Sequence, residues 1–204
     1  MLEKFVQDAL TIWATIDPIG TMALFTVLTA NLSPDQRRRT AFKTIIYAGA
    51  VLVGSIVIGQ LILGAMGIRL VSFQLAGGII LFLFGLQMVF GSGAQASPSE
   101  PDHDIAVFPL AIPATATPGA ILAVILLTDN HVHPVSVQVG TALITLGILG
   151  ITLVLLLFSS RIITVIGVSG ASILTRVMGM ILAALSVELV MNAVGAEKWI
   201  GPAP

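Results

Sequence analysis

The chain contains no cysteine. That excludes disulfides, thiolate metal sites and a cysteine nucleophile. Charge is scarce as well: 9% of the 204 residues are Asp, Glu, Lys or Arg, where a soluble domain carries roughly 25%. The net charge of −1 leaves no basic field for nucleic acid. His131 and His133 stand two apart in a linking stretch with no third ligand nearby, so no metal site is expected. There is no Walker loop, dinucleotide fingerprint or nucleophile-elbow serine, so no cofactor and no enzyme activity are expected. The start, Met1-Leu2-Glu3-Lys4, lacks the basic n-region of a signal peptide, and the first apolar segment is expected to be retained. What remains is apolar: 56% hydrophobic residues and a mean hydropathy of +1.05. These values predict an all-α, multi-pass membrane protein whose surroundings are the lipid bilayer.

Six spans can be drawn, at about 5–29, 44–66, 70–91, 106–128, 135–158 and 171–195, each near the ~20 residues that cross a bilayer. The first holds Thr15-Ile16-Asp17-Pro18-Ile19-Gly20-Thr21 in its middle. Pro removes a donor and clashes with the preceding turn, and an acid in lipid must face inward. The stretch reads as a broken helix, with Asp17 as N-cap and Pro18 as first residue of a second half-helix. In the link that follows, Ser33-x-x-Gln36 is a capping-box pattern. Gly91 to Asp104 is Gly/Ser/Pro-rich and reads as a flexible linker.

The two halves resemble each other. Pro18 and Pro118 are 100 positions apart, as are Pro34 and Pro134. Leu28-Thr29-x-Asn31 recurs as Leu127-Thr128-x-Asn130, and Gly78-Ile79-Ile80-Leu81 as Gly179-Met180-Ile181-Leu182, with Gln87 falling on Glu188. This predicts one transmembrane domain built from repeat 1 (about 1–91), a linker (about 92–104) and repeat 2 (about 105–204). Three spans per repeat is odd, so the copies should be inverted, the plan of secondary transporters with interrupted helices in matching positions. The match to the first break is Ile112-Pro113-Ala114-Thr115-Ala116-Thr117-Pro118-Gly119-Ala120, with Thr117 as cap and Pro118 opening the second half-helix. Arg37, Arg38, Arg39, Lys43 and Arg161 lie on one side, and Lys4, Arg69 and Lys198 on the other. The positive-inside rule then puts the first group in the cytoplasm and both termini outside.

At these motifs the chain resembles the MarC family of six-span bacterial membrane proteins. The stretches that carry the resemblance are Asp17-Pro18-Ile19-Gly20, Phe108-Pro109-Leu110-Ala111-Ile112-Pro113 with Pro118-Gly119-Ala120, Ala76-Gly77-Gly78-Ile79-Ile80-Leu81, and Arg176-Val177-Met178-Gly179. The family is similar to, and includes, transporters of small neutral amino acids such as glycine and alanine. The resemblance implies a bacterial inner-membrane transporter with a substrate site flanked by two broken helices. Thr21, Ala23 and Thr117 depart from the Asn, Pro and Gly that the family usually has at these places.

The candidate substrate-binding residues are Asp17, Gly20, Thr21, Gly77, Gly78, Thr115, Thr117, Gly119 and Ala120, with Pro18, Pro113 and Pro118 as helix breakers. Asp17 is either a buried cap or a residue that meets substrate, proton or sodium. Thr115 and Thr117 either return hydroxyls to helical carbonyls or line the site. Gly77, Gly78, Gly85 and Gly179 also read as close-packing positions between helices. Glu188 is either a second ion-coupling acid or a residue near a span end, open to water. Two classes of function follow. One is a secondary transporter of a small polar solute, coupled or not to H+ or Na+, with an exporter of larger apolar compounds as its alternative. The other is an intramembrane enzyme or assembly protein, which would need a converging cluster of acids, bases or metal ligands.

Overall fold

The structure, a computed structural model, describes residues 2–90 and 104–196. The expected linker, apart from Asp104, and Lys198 lie outside the described residues. Among those described, every regular element is helical. Helix α1 (Leu2–Ile16) and α2 (Pro18–Leu28) form one 27-residue span interrupted at Asp17. Helix α3 (Pro34–Ala65) and α4 (Leu70–Phe90) follow. Then comes an irregular coiled segment, α5 (Ala106–Thr115), and the short helix α6 (Pro118–Leu127). Helix α7 (Val135–Val194) is divided at Gly167 into a first arm, Val135–Gly167, and a second arm, Ser172–Val194. Among the described residues, five helices are long and apolar enough to cross a membrane, counting α1–α2 as one, and six if the bent pair α5–α6 is one span.

Local chemistry explains most of the boundaries. Ser33 and Gln36 form the expected capping box: the Ser33 N–H donates to Gln36 Oε1 at 2.9 Å and the Gln36 N–H to Ser33 Oγ at 3.3 Å. The helix therefore starts inside the arginine-rich link, well before the apolar residues that mark it in the sequence. Arg37 turns back onto the bundle, donating to Ser159 Oγ at 3.1 Å and lying over the Phe25 ring. Gly67 and Gly167 both adopt left-handed φ, 67° and 74°, where a Cβ would be strained. Each stands just ahead of a long helix, α4 in one case and the second arm in the other.

The core lies between the interrupted spans. Ile12, Ile16, Ala48, Leu52, Ala116, Ala120, Val124 and Leu149 form one buried cluster around both breaks. Helix α4 and the second arm meet more closely than side chains normally allow. A Cβ on Gly85 would sit 2.9 Å from the Ala183 nitrogen and the Gly179 oxygen. Small residues permit such backbone approach in membranes. Leu81 and Leu182, a matched pair in the sequence repeat, meet in one buried cluster on Ala14. The outward residues are large and apolar, as lipid contact requires: Val57, Leu61, Leu143 and Val165 are all more than 60% exposed.

Candidate functional site

The first break has the predicted cap. Asp17 adopts left-handed backbone angles (φ 48°, ψ 69°), which Asp tolerates better than most residues. Its Oδ1 accepts the Gly20 N–H at 3.1 Å, and Pro18 opens α2. Because Pro18 has no N–H and the Gly20 N–H goes to the Asp17 side chain, carbonyls just before the break lose their helical donors.

The second break is more distorted than a capped interruption. Phe108 (φ −128°, ψ 126°) and Ile112 (φ −132°, ψ 123°) are extended inside α5. Each precedes a proline, Pro109 or Pro113, whose ring excludes the helical region for its neighbour. The first half of this span is thus a loose coil, and α6 leaves it at 54°. Thr117 caps α6 as predicted, its Oγ1 accepting the Ala120 N–H at 2.9 Å.

The two breaks satisfy each other. Thr117 Oγ1 donates to the Thr15 carbonyl at 2.7 Å, across to the first break. Thr21 Oγ1 donates to the Ala114 carbonyl at 3.0 Å, across to the second, with the Ile16 carbonyl as a longer alternative at 3.4 Å. One threonine from each half therefore supplies a hydroxyl to a freed carbonyl of the other. In lipid such carbonyls require a partner inside the protein.

Of the predicted residues, Asp17, Thr21, Thr115, Thr117, Gly119 and Ala120 converge at this junction. Thr115, Thr117 and Ala120 are fully buried, and Asp17 is 5% exposed. Thr115 Oγ1 donates to Leu110 O at 2.8 Å, within its own half-span. Gly20 is packed against the Asp17 carboxylate, and Gly119 against the end of Leu81. The Ala120 N–H is held by its own cap, so the Gly119 N–H is what remains at the start of α6. Pro18 is buried, whereas Pro113 and Pro118 are exposed. Gly77 faces Leu122 of α6, and Gly78 faces Val190 and the Ser186 carbonyl of the second arm, both as close-packing positions. Glu188 is exposed on the second arm and does not join the buried junction.

Several residues at the junction's margins carry no signal in the sequence. Asp8 is 1% exposed and receives both Lys4 Nζ at 2.6 Å and Thr141 Oγ1 at 2.7 Å. Spaced i, i+4 at the start of a span, Lys4 and Asp8 look like boundary charges. Their partner Thr141 is far away in the chain, and only the fold reveals it. Gln60 closes the far end of α6: its Nε2 donates to Ile125 O and Thr128 O, and its Oε1 accepts from the Asn130 N–H.

Comparison with known proteins gives the family. Residues 2–197 match the model of the MarC family integral membrane protein. The chain belongs to the MarC family. Its relatives include a UPF0056 membrane protein of Methanocaldococcus jannaschii, 35% identical over 95% of this chain and 97% of that protein. A UPF0056 membrane protein of Archaeoglobus fulgidus is 32% identical over 98% of this chain and 95% of its own length. The UPF0056 inner membrane protein YhgN of Escherichia coli is 28% identical over 98% and 99%. No solved structure gives a significant match. As a MarC family integral membrane protein, the chain places its helix breaks, its buried acids and its tightest glycines in the interior of an apolar bundle.

Proposed function

We propose that this protein is a secondary transporter of a small polar solute, a small neutral amino acid of the glycine or alanine type, working by alternating access. The observation that carries the reading is the reciprocal bonding of two interrupted spans through Thr21 and Thr117. Interrupted helices at the middle of a membrane are costly unless they line a site, and secondary transporters use their half-helix ends to hold ions and charged solute groups. Here the start of α6 presents the Gly119 N–H and a partial positive charge, suited to a carboxylate. The first break presents Asp17, with no ion pair to it among the described residues, suited to an ammonium or a coupling cation. A zwitterion of small size meets both.

In this proposal the chain is two inverted repeats. Support comes from matched positions that behave alike. Asp17 and Thr117 both cap, Gly67 and Gly167 are both left-handed, and Leu81 and Leu182 share one cluster. The inverted plan puts both termini on the outer face and the Arg37–Lys43 stretch in the cytoplasm.

The test is counterflow in proteoliposomes with a panel of amino acids, under imposed H+ and Na+ gradients. Saturable exchange of glycine or alanine, lost in Asp17→Asn, is expected. No exchange of any panel member by well-folded protein would overturn the reading.

A further inference from the structure

Two ion pairs occur among the described residues, and they stand at opposite ends of the bundle. The span Leu2–Leu28 runs from one face to the other, and α3 begins on the far side at Pro34. At the near end, Lys4 Nζ lies 2.6 Å from Asp8 Oδ2 and 3.4 Å from the carbonyl of Leu127, the last residue of α6. Thr141 Oγ1 donates to the same carboxylate oxygen. These contacts tie the start of α1, the end of α6 and the first arm together. At the far end, Lys43 Nζ lies 2.8 Å from Asp104 Oδ2. Asp104 Oδ1 accepts the Ala106 N–H at 3.0 Å, and Thr44 Oγ1 donates to Ala106 O at 3.2 Å. These contacts tie the start of α5 to α3.

The two arrangements correspond. Each fastens the first residues of an interrupted span to a long helix of the other half, α1 to the first arm and α5 to α3. Each uses one lysine, one aspartate and one threonine. Lys4 and Asp104 are 100 positions apart, the spacing of Pro18 and Pro118, with the sign of the charge exchanged. Between the two ends lies the buried junction of Thr15, Thr21, Ala114 and Thr117.

Resting on the transport reading above, we infer that these ion pairs are the two gates of the path: Lys4–Asp8–Thr141 closes the face at the N-terminus, and Lys43–Asp104 closes the arginine-rich face. They are not equally firm. The side chains of Lys4 and Asp8 are 23% and 1% exposed, and those of Lys43 and Asp104 are 55% and 43% exposed. Water and salt compete with the second pair far more than with the first. This conformation is therefore sealed at the N-terminal face and poised to open at the arginine-rich face.

The experiment uses the absence of cysteine. Thr115→Cys places a reporter at a fully buried position in the junction. A membrane-impermeant maleimide is applied to each face in turn, with right-side-out and inside-out vesicles. The single-reporter protein should label faster from the arginine-rich face. Replacing the buried pair by apolar residues of similar size, Lys4→Met with Asp8→Leu, avoids leaving a lone buried charge. It should raise labelling from the N-terminal face by roughly tenfold, about 1.4 kcal/mol of gate closure, and leave the other face unchanged. Lys43→Gln with Asp104→Asn should do the reverse, and the exchanged pair Lys43→Asp with Asp104→Lys should restore the slow rate. Should the Met/Leu variant not accumulate, Thr141→Val, which removes one bond to Asp8, should give a smaller rise on the same face. The inference is overturned if both gate variants speed labelling from one face, or if folded variants label at the parent rate from both. Labelling needs no cargo. Failed amino acid exchange with sided labelling intact overturns the cargo and leaves the gates standing, and exchange without sided labelling does the opposite.

Discussion

Thr117→Val is the most direct test of the junction between the two breaks. Valine matches threonine in shape, so packing in the fully buried site is preserved and only the hydroxyl is lost. That hydroxyl makes two bonds, accepting from Ala120 N–H at 2.9 Å and donating to Thr15 O at 2.7 Å. Loss of an N-cap costs about 1 kcal/mol. A buried carbonyl left without a donor costs about 1–3 kcal/mol more. Measured hydrogen bonds between membrane helices average only ~0.6 kcal/mol, because the unfolded chain in a membrane also finds partners. The expected loss is therefore about 2 kcal/mol for Thr117→Val, and under about 0.5 kcal/mol for Thr117→Ser, which keeps both bonds. Thr21→Val gives up one bond, to Ala114 O, and should lose about 1 kcal/mol. The assay is reversible unfolding in mixed SDS–detergent micelles, with the double variant closing a mutant cycle. If Thr117→Ser is as destabilising as Thr117→Val, the effect is packing and the argument from freed carbonyls fails. If Thr117→Val matches the parent, the Thr15 carbonyl never needed a donor.

Gly119→Ala drives a methyl into the end of buried Leu81 and should cost about 1–3 kcal/mol. Leu81→Ala in the same chain should recover part of that loss, and a purely additive double variant would show that the two residues do not compete for space. Gly85→Ala meets backbone atoms of Ala183 and Gly179 that no rotamer can move, so it should destabilise by about 2 kcal/mol or more in the same assay. Gly54→Ala and Gly64→Ala, with open space around the added methyl, should be neutral or gain up to ~1 kcal/mol. The Asp104 carboxyl is held below the usual carboxylate range, first by the Lys43 ammonium and then by the Ala106 N–H. An acid whose folded value is lowered contributes fully above its unfolded value, about 3.9, and the contribution fades as pH falls through the folded value. The difference in thermal midpoint between parent and Asp104→Asn should thus hold from pH 8 to 5 and close only below about pH 4. Closure near pH 6 would refute this assignment.

Local signals survived the step from sequence to structure where they involve neighbours in the chain. Asp17-Pro18, Thr117-Pro118 and Ser33-x-x-Gln36 each specify a helix start through atoms three residues apart, and each is found as read. The distortion of α5 was half legible. Pro113 marks a break, but the extended Phe108 and Ile112 follow only when both prolines act on the residues before them. Long-range contacts left no trace. Nothing in Thr15 or Ala114 announces that its carbonyl will be met from the other half, and nothing in Asp8 announces its bond to Thr141. Glu188 shows the converse. Its place opposite Gln87 in the repeat is matched by its surroundings, for both side chains are exposed, while Leu81 and Leu182 at the same spacing are both buried.

The exchange of threonine bonds between the breaks also bears on how the protein is made. During synthesis the first half enters the bilayer before the second exists, with the Thr15 carbonyl still waiting for the hydroxyl of Thr117. The second half, inserted alone, would lack Thr21 for its Ala114 carbonyl. Neither half is a finished membrane object by itself. Each carries an open polar socket that only its sibling fills, so a chain cut between residues 90 and 104 should yield fragments that depend on each other to mature.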